Sequence, residues 1–139
     1  MSEKYLVKSL KDTQTIARTF ASRLKPGDVI ALEGELGAGK TTFVRAAAEF
    51  FKVKEYVNSP TFTIVNQYKG KKTTINHIDY YRINHQDELA EIGIEEYFSP
   101  QSITFIEWAE RFPDSLPEKC YNIHIKVKDK TREILISHA

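Results

Sequence analysis

The chain has 139 residues and a net charge of +1, with 20 basic residues against 19 acidic ones. This length suits one globular domain with one packed core, so we expect a single domain over residues 1–139. The balanced charge gives no polybasic footprint that would favour nucleic acid as the main ligand. Because the apolar runs are too short to cross a membrane and no signal-peptide pattern is present, we expect a cytoplasmic protein.

The first half of the sequence predicts alternating strands and helices. Lys4–Ser9 alternates weakly and is expected to form an edge strand, followed by a helix that Asp12 or Thr13 would cap. The continuous apolar run Val29–Leu32 is typical of a strand buried on both faces of a parallel sheet. Apolar residues at helical spacing follow between Phe43 and Phe51.

The second half predicts two hairpins, an interrupted helix and another buried strand. In chain order these segments are the hairpin of Phe62–Tyr68 with Thr73–Asp79, the helix Asp87–Phe98 broken at Gly93, the strand Ile103–Glu107, and the hairpin of Tyr121–Val127 with Arg132–Ser137. Together with the first half, this pattern predicts an α/β layer with a mixed sheet.

A glycine-rich segment joins the strand Val29–Leu32 to the helix that follows it. Gly34–Thr41 satisfies the pattern G-x-x-x-x-G-K-[ST] of a phosphate-binding loop, or P-loop. In such a loop the glycines let backbone N–H groups converge on phosphates, the lysine bridges the terminal phosphates and the hydroxyl binds magnesium. The strand before it and the helix after it are the context that the motif requires. The sequence therefore predicts a single-domain α/β P-loop NTPase that binds ATP with magnesium.

Magnesium beside a P-loop also needs a carboxylate, and two residues are candidates. Asp79 and Glu107 each follow a predicted buried strand, where a carboxylate can reach the metal or simply cap a turn. Ser59–Phe62 lies where a γ-phosphate-sensing loop would be expected, although it can also be a turn entering a strand. Trp108, the sole tryptophan, directly follows Glu107, and such a residue is more often core packing than a ligand contact.

Four motifs occur in order along nearly the whole chain. They are Gly34–Thr42, Ser59–Phe62, His77–Arg82 and Ile106–Arg111. In combination they closely resemble the bacterial TsaE (YjeE) family. The resemblance implies the ATPase component of the machinery that makes threonylcarbamoyladenosine at position 37 of tRNAs reading codons that begin with A. It also implies TsaB and TsaD as partner proteins, with tRNA met only through the complex.

The same resemblance implies roles for individual residues. Phosphates would be held by Gly37, Ala38, Gly39, Lys40, Thr41 and Thr42, with Gly34 opening the loop. Thr41 and Glu107 would serve magnesium, and Lys40, Asp79 and Glu107 would be the catalytic group. Trp108 would lie close to the nucleotide, and Arg132 is a candidate adenine contact.

Two other functions remain open on the residues alone. A small-molecule or nucleoside kinase would use the same phosphate cradle, but such kinases usually add an arginine-bearing lid and an acceptor pocket. Little length is left for either, and Arg82 and Arg111 are the basic residues near the predicted strand ends. A nucleotide switch that only docks onto a partner is the third function. For the ATPase we expect slow turnover in the absence of partners, because the sequence offers no clear group that would neutralise charge in the transition state.

Overall fold

Seven strands form one sheet in the computed structural model, which describes residues 2–35, 37–60 and 63–138. The strands are β1 (Ser2–Val7), β2 (Val29–Glu33), β3 (Val65–Lys69), β4 (Thr74–Asp79), β5 (Ser102–Glu107), β6 (Tyr121–Val127) and β7 (Arg132–His138). The α-helices are α1 (Leu10–Ala21), α2 (Lys40–Phe50) and α3 (Asp87–Glu91), and short 3₁₀ turns lie at Ile94–Tyr97, Ala109–Arg111 and Pro113–Ser115.

The sheet is parallel at its centre and antiparallel towards its edges. Its strand order is β1-β7-β6-β2-β5-β4-β3. Strands β6, β2, β5 and β4 run parallel, whereas β3, β7 and β1 are antiparallel to their neighbours. The predicted mixed α/β fold is therefore confirmed. Because β2, β5 and β4 are parallel neighbours, their carboxyl ends meet at one edge, where parallel α/β sheets place their ligands.

Strand β2 is apolar throughout because it contributes to a core on each face of the sheet. Ile30 and Leu32 pack with residues of α1 and α2 on one face, and Val29 and Ala31 pack with Tyr80 and its neighbours on the other. Successive side chains of a strand point to opposite faces, so a strand covered on both sides needs a continuous apolar run. The burial predicted for Val29–Leu32 is confirmed.

The first helix begins earlier than the sequence indicated. The prediction that Asp12 or Thr13 caps it is wrong. Ser9 is the N-cap, in an extended conformation with φ −150° and ψ 164°, and its Oγ accepts a hydrogen bond of 3.1 Å from the Asp12 N–H. The Asp12 carboxylate accepts in turn from the Lys8 N–H at 3.1 Å. Ser9 thus caps an N–H of the first turn, Asp12 accepts from the N–H just before the cap, and Ser9 sets the start of the helix.

The other predicted boundaries agree with the structure within a few residues. Gly93, at φ 68°, separates α3 from the following 3₁₀ turn, as predicted. Both predicted hairpins form, although β3 begins at Val65 and the predicted start at Phe62 lies outside the described residues. Over the described ranges, no helix has the length and apolar character needed to cross a membrane.

Candidate active site

The P-loop follows β2 directly and leads into the first turn of α2. Gly34 has φ +151°, and a Cβ atom placed on it would lie 2.5 Å from the backbone oxygen of Ile125 on β6. Only glycine therefore fits where the loop leaves the sheet. The loop then reaches α2 through Gly39, so the free N–H groups at the N-terminus of this helix border the same cleft as the loop. Such N–H groups favour bound phosphate.

Lys40 is buried in the first turn of α2, with an exposed fraction of 5%. Its Nζ donates to the backbone oxygen of Gly34 and, at 3.5 Å, to that of Glu35. The same ammonium lies 3.7 Å from the ring centroid of Trp108. Burial lowers the pKa of Lys40, and the nearby carboxylates, Glu107 first among them, oppose that shift. The ammonium is thus held by neutral acceptors of the loop itself.

A hydroxyl and two carboxylates meet at the carboxyl ends of the parallel strands. Thr41 Oγ1 donates to Glu107 Oε2 at 2.8 Å. Asp79 and Glu107 are paired in register on β4 and β5, and both are buried. Register pairing across parallel strands explains how residues far apart in sequence reach the same P-loop. Both carboxylates were predicted here, and the hydrogen bond shows that Glu107 is the one in direct contact with Thr41.

Asp79 is anchored through both of its carboxylate oxygens. Oδ1 accepts from the Tyr81 N–H at 2.9 Å, and Oδ2 accepts from Ser59 Oγ at 3.1 Å. Burial raises the pKa of Asp79, the charge of Glu107 adds to this effect, and the Tyr81 N–H opposes it. Asp79 therefore ties the segment after the P-loop helix to the end of β4.

A cleft of about 420 Å³ opens above these residues. It is lined by Gly37, Ala38, Gly39, Lys40, Thr41, Thr42, Ser59, Asp79, Tyr81, Glu107 and Trp108. Nine of the site residues predicted from the sequence thus share one cavity with Ser59, from the predicted sensing loop, and with Tyr81. A depression of similar size, about 440 Å³, lies beside α3 and contains none of the P-loop residues. P-loop residues and both carboxylates therefore line the cleft of about 420 Å³.

Comparison with known proteins agrees with this arrangement. The family model described as "Threonylcarbamoyl adenosine biosynthesis protein TsaE" matches residues 7–134. This chain belongs to the TsaE family. Relatives named tRNA threonylcarbamoyladenosine biosynthesis protein TsaE include one from Bacillus subtilis, 43% identical over 89% of this chain and 78% of its own length. Another, from Rickettsia bellii, is 33% identical over 96% of this chain and 93% of its own length.

A solved structure supports the fold of this TsaE-family chain. The crystal structure of the Bacillus protein YdiB superposes with a TM-score of 0.85 at 36% identity, covering 99% of this chain and 86% of that one. The likeness extends over the whole sheet and is not confined to the P-loop. The family therefore has a place in the biosynthesis of threonylcarbamoyladenosine in tRNA, and its fold is the one described above.

Two of the sequence-derived candidates lie beside the cleft of this TsaE-family chain without lining it. Gly34 lets the start of the loop pass close to the backbone of β6. Arg132, at the start of β7, donates through Nη2 to the backbone oxygen of Gly37 at 3.2 Å, while its buried Nε has no hydrogen-bond partner among the described residues. Arg132 thus supports the phosphate loop, and its contact with adenine stays a prediction.

Aromatic residues border the cleft on the side of β4 and β5. Trp108 adopts φ 59°, a left-handed conformation that is rare for a bulky residue, and its ring lies 5.0 Å from that of Tyr81. Trp108 was expected near the nucleotide, and it does border the P-loop. Tyr81 was not singled out as a site residue, although it lies within the motif His77–Arg82. Within the predicted sensing loop, Ser59 reaches Asp79, whereas Thr61 and Phe62 lie outside the described residues.

Sequence reasoning gave no role to His77, which also belongs to this site. It is fully buried, and its Nε2 lies 2.6 Å from Glu107 Oε2. His77 precedes Asp79 by two residues on β4, so both point to the same face of the sheet. That alternation was the signal in the sequence that could have placed it in the site.

Proposed function

We propose that this TsaE-family chain is the ATP-binding and ATP-hydrolysing component of the cytoplasmic machinery that forms threonylcarbamoyladenosine at position 37 of tRNAs reading codons that begin with A. In this proposal it acts with TsaB and TsaD and meets tRNA only through their complex. The observation that carries the proposal is the 2.8 Å hydrogen bond from Thr41 to Glu107 beside the P-loop. A hydroxyl and a carboxylate next to a phosphate cradle form the half-site that magnesium nucleotides use in P-loop enzymes.

The donor set suits magnesium with a nucleotide better than a metal held by protein alone. Among the residues that the structure describes, no group of three or more histidine, cysteine or acidic side chains is arranged to hold an ion. Magnesium usually takes one or two protein oxygens and completes its octahedron with phosphates and water. Thr41 Oγ1 and Glu107 are the oxygens that would hold it. Bound there, the ion would neutralise charge that develops on the β- and γ-phosphate oxygens.

The remaining site residues bind and orient the substrate. The N–H groups of Gly37–Thr42 would cradle the phosphates, and Lys40 would exchange its backbone carbonyl partners for phosphate oxygens. Either Asp79 or Glu107 could orient the attacking water. The two hydrogen bonds that hold the Asp79 carboxylate fix its direction towards the cleft. The binding and metal-holding functions of a P-loop ATPase are therefore accounted for by residues of this chain.

Among the described residues that line the cleft, no side chain besides Lys40 is suited to neutralise the charge that develops on the phosphates in the transition state. Of the described residues that line the cleft, Lys40 is the only one with a cationic side chain. An arginine supplied by a partner raises the rate of other P-loop enzymes by about 10³- to 10⁵-fold. This supports a slow ATPase whose catalytic site is completed by its partners.

The test is steady-state ATP hydrolysis by the chain alone and with the TsaB and TsaD proteins of the same organism. We expect a low rate for the chain alone and a rate several-fold higher in the complex. The Lys40→Ala variant in the same complex controls for contaminating ATPases. An unchanged rate at partner concentrations that saturate binding would contradict completion by partners. Phosphate transfer to an added nucleoside or small molecule, with no release to water, would instead indicate a kinase.

A further inference from the structure

His77 is a fully buried polar side chain to which none of the roles above assigns a purpose. Its neighbours on the same face of the sheet include the apolar Ile75, two residues earlier on β4, and Phe105, its register partner on β5. One of its ring nitrogens, Nε2, contacts Glu107, and the other, Nδ1, has no hydrogen-bond partner among the described residues. An apolar side chain would fill this position without burying a polar atom, so the contact with Glu107 is what a histidine adds here.

The contact with Glu107 identifies which nitrogen carries the hydrogen. Carboxylate oxygens accept hydrogen bonds, so we assign the hydrogen of the 2.6 Å contact to Nε2. The arrangement thus aims one donor of His77 at one oxygen of Glu107.

That oxygen is also the one that accepts from Thr41. The Thr41 hydroxyl, at 2.8 Å, and the His77 ring, at 2.6 Å, both donate to Glu107 Oε2. Two donors on one oxygen hold the carboxylate against rotation about its terminal bond, and neither of them uses Oε1. In metal sites, hydrogen bonds of this kind orient the ligating carboxylates.

We propose that His77 is a positioning residue that holds the Glu107 carboxylate in the orientation in which it serves magnesium, an inference that rests on the proposed function. His77 acts through Glu107 and does not touch the nucleotide. Strand β4 then supplies both the Asp79 carboxylate and the histidine that supports the Glu107 carboxylate.

Two amide variants separate positioning from packing. In His77→Gln the side-chain nitrogen can occupy the place of Nε2 and keep the donor. In His77→Asn the shorter amide corresponds to Nδ1 and does not reach Glu107. The measurement is ADP binding by calorimetry, in EDTA and over a magnesium titration, with circular dichroism to follow the fold.

We expect His77→Asn to raise the magnesium concentration needed for half of the metal-dependent change in ADP affinity by about 10- to 100-fold. His77→Gln should stay close to the parent, and both variants should bind ADP in EDTA as the parent does. In a Glu107→Gln background, His77→Asn should cause no further change in the magnesium titration, because the residue acts through the carboxylate.

Several results would overturn the inference. A parental magnesium titration in His77→Asn would do so while leaving the proposed function intact. Equal loss of ADP binding in EDTA by both variants, or unfolding of both, would show a purely structural role. An independent loss of the same size in the Glu107→Gln background would show that His77 acts by another route. If the parent itself shows no effect of magnesium on ADP binding, the inference and the magnesium site of the proposed function both fail.

Discussion

Replacing Gly34 by alanine tests whether the P-loop geometry depends on the close approach of β6. At Gly34 the added Cβ would meet the backbone oxygen of Ile125 at 2.5 Å, and φ is +151°. Gly37, in the same loop, also has a positive φ, of +81°, but nothing lies within 4 Å of a Cβ placed there. The pair Gly34→Ala and Gly37→Ala therefore separates backbone strain, which both share, from a steric clash, which only the first has.

The expected magnitudes follow from these two contributions. A left-handed conformation costs an alanine about 1 to 2 kcal/mol. The smaller freedom of the unfolded chain returns about 0.4 to 1 kcal/mol in both variants. We therefore expect Gly37→Ala to lower the free energy of unfolding by about 1 kcal/mol. Overpacking adds about 1 to 3 kcal/mol, so Gly34→Ala should lower it by about 2 to 4 kcal/mol.

Urea unfolding followed by circular dichroism measures both free energies, and calorimetry with ADP measures the consequence for the site. Relief of the clash must move either the loop or β6, because the obstructing atom belongs to backbone. Gly34→Ala should thus also weaken ADP binding more than Gly37→Ala does. Equal destabilisation by the two variants would refute the argument that the approach of β6 shapes the loop.

Three further predictions concern the cleft. Lys40→Ala should weaken ATP binding by about 1.5 to 3 kcal/mol, the size of a charge-assisted contact, and calorimetry should show no such loss in the exposed-lysine control Lys54→Ala. Glu107→Ala should damage magnesium-dependent turnover more than Asp79→Ala damages nucleotide binding, because Glu107 directly contacts the Thr41 hydroxyl of the P-loop. If the Glu107 variant needs the same magnesium concentration as the parent, Glu107 is not part of the metal site. The emission of Trp108, the sole tryptophan, should change when ATP or ADP saturates the cleft, since its ring lies over the Lys40 ammonium; constant emission with binding confirmed by calorimetry would contradict this.

The sequence predicted the fold well because its strongest signals are local. Three features depend only on residues close to them in the sequence: the apolar run at Val29–Leu32, the P-loop pattern and the helix-breaking Gly93. Each is found where expected. The cap of α1 was misplaced because Ser9 and Asp12 both carry capping side chains. Local chemistry alone does not decide which of two such residues becomes the N-cap.

The site was predicted less completely because part of it depends on pairing between strands. Asp79 and Glu107 were selected because each ends a strand, but their register could not be derived from either segment alone. Alternation along β4 places His77 on the face of Asp79, but its contact with Glu107 was missed because that partner is 30 residues away on the neighbouring strand. The hydrogen bond from Arg132 to Gly37 spans 95 residues and carries no local signal.

The position of β2 at the centre of the sheet has a consequence for synthesis on the ribosome. Both neighbours of β2 come much later in the chain: Val29 is paired with Thr104 on β5, and Ile30 with Tyr121 on β6. The P-loop is therefore translated early, but the strands that hold its base and supply Glu107 emerge only near the end. Because contacts so distant in sequence form late, a nascent chain that has exposed only α1, β2 and α2 would lack a site for nucleotide. A nucleotide bound as proposed could thus assist folding only after β5 and β6 have left the exit tunnel.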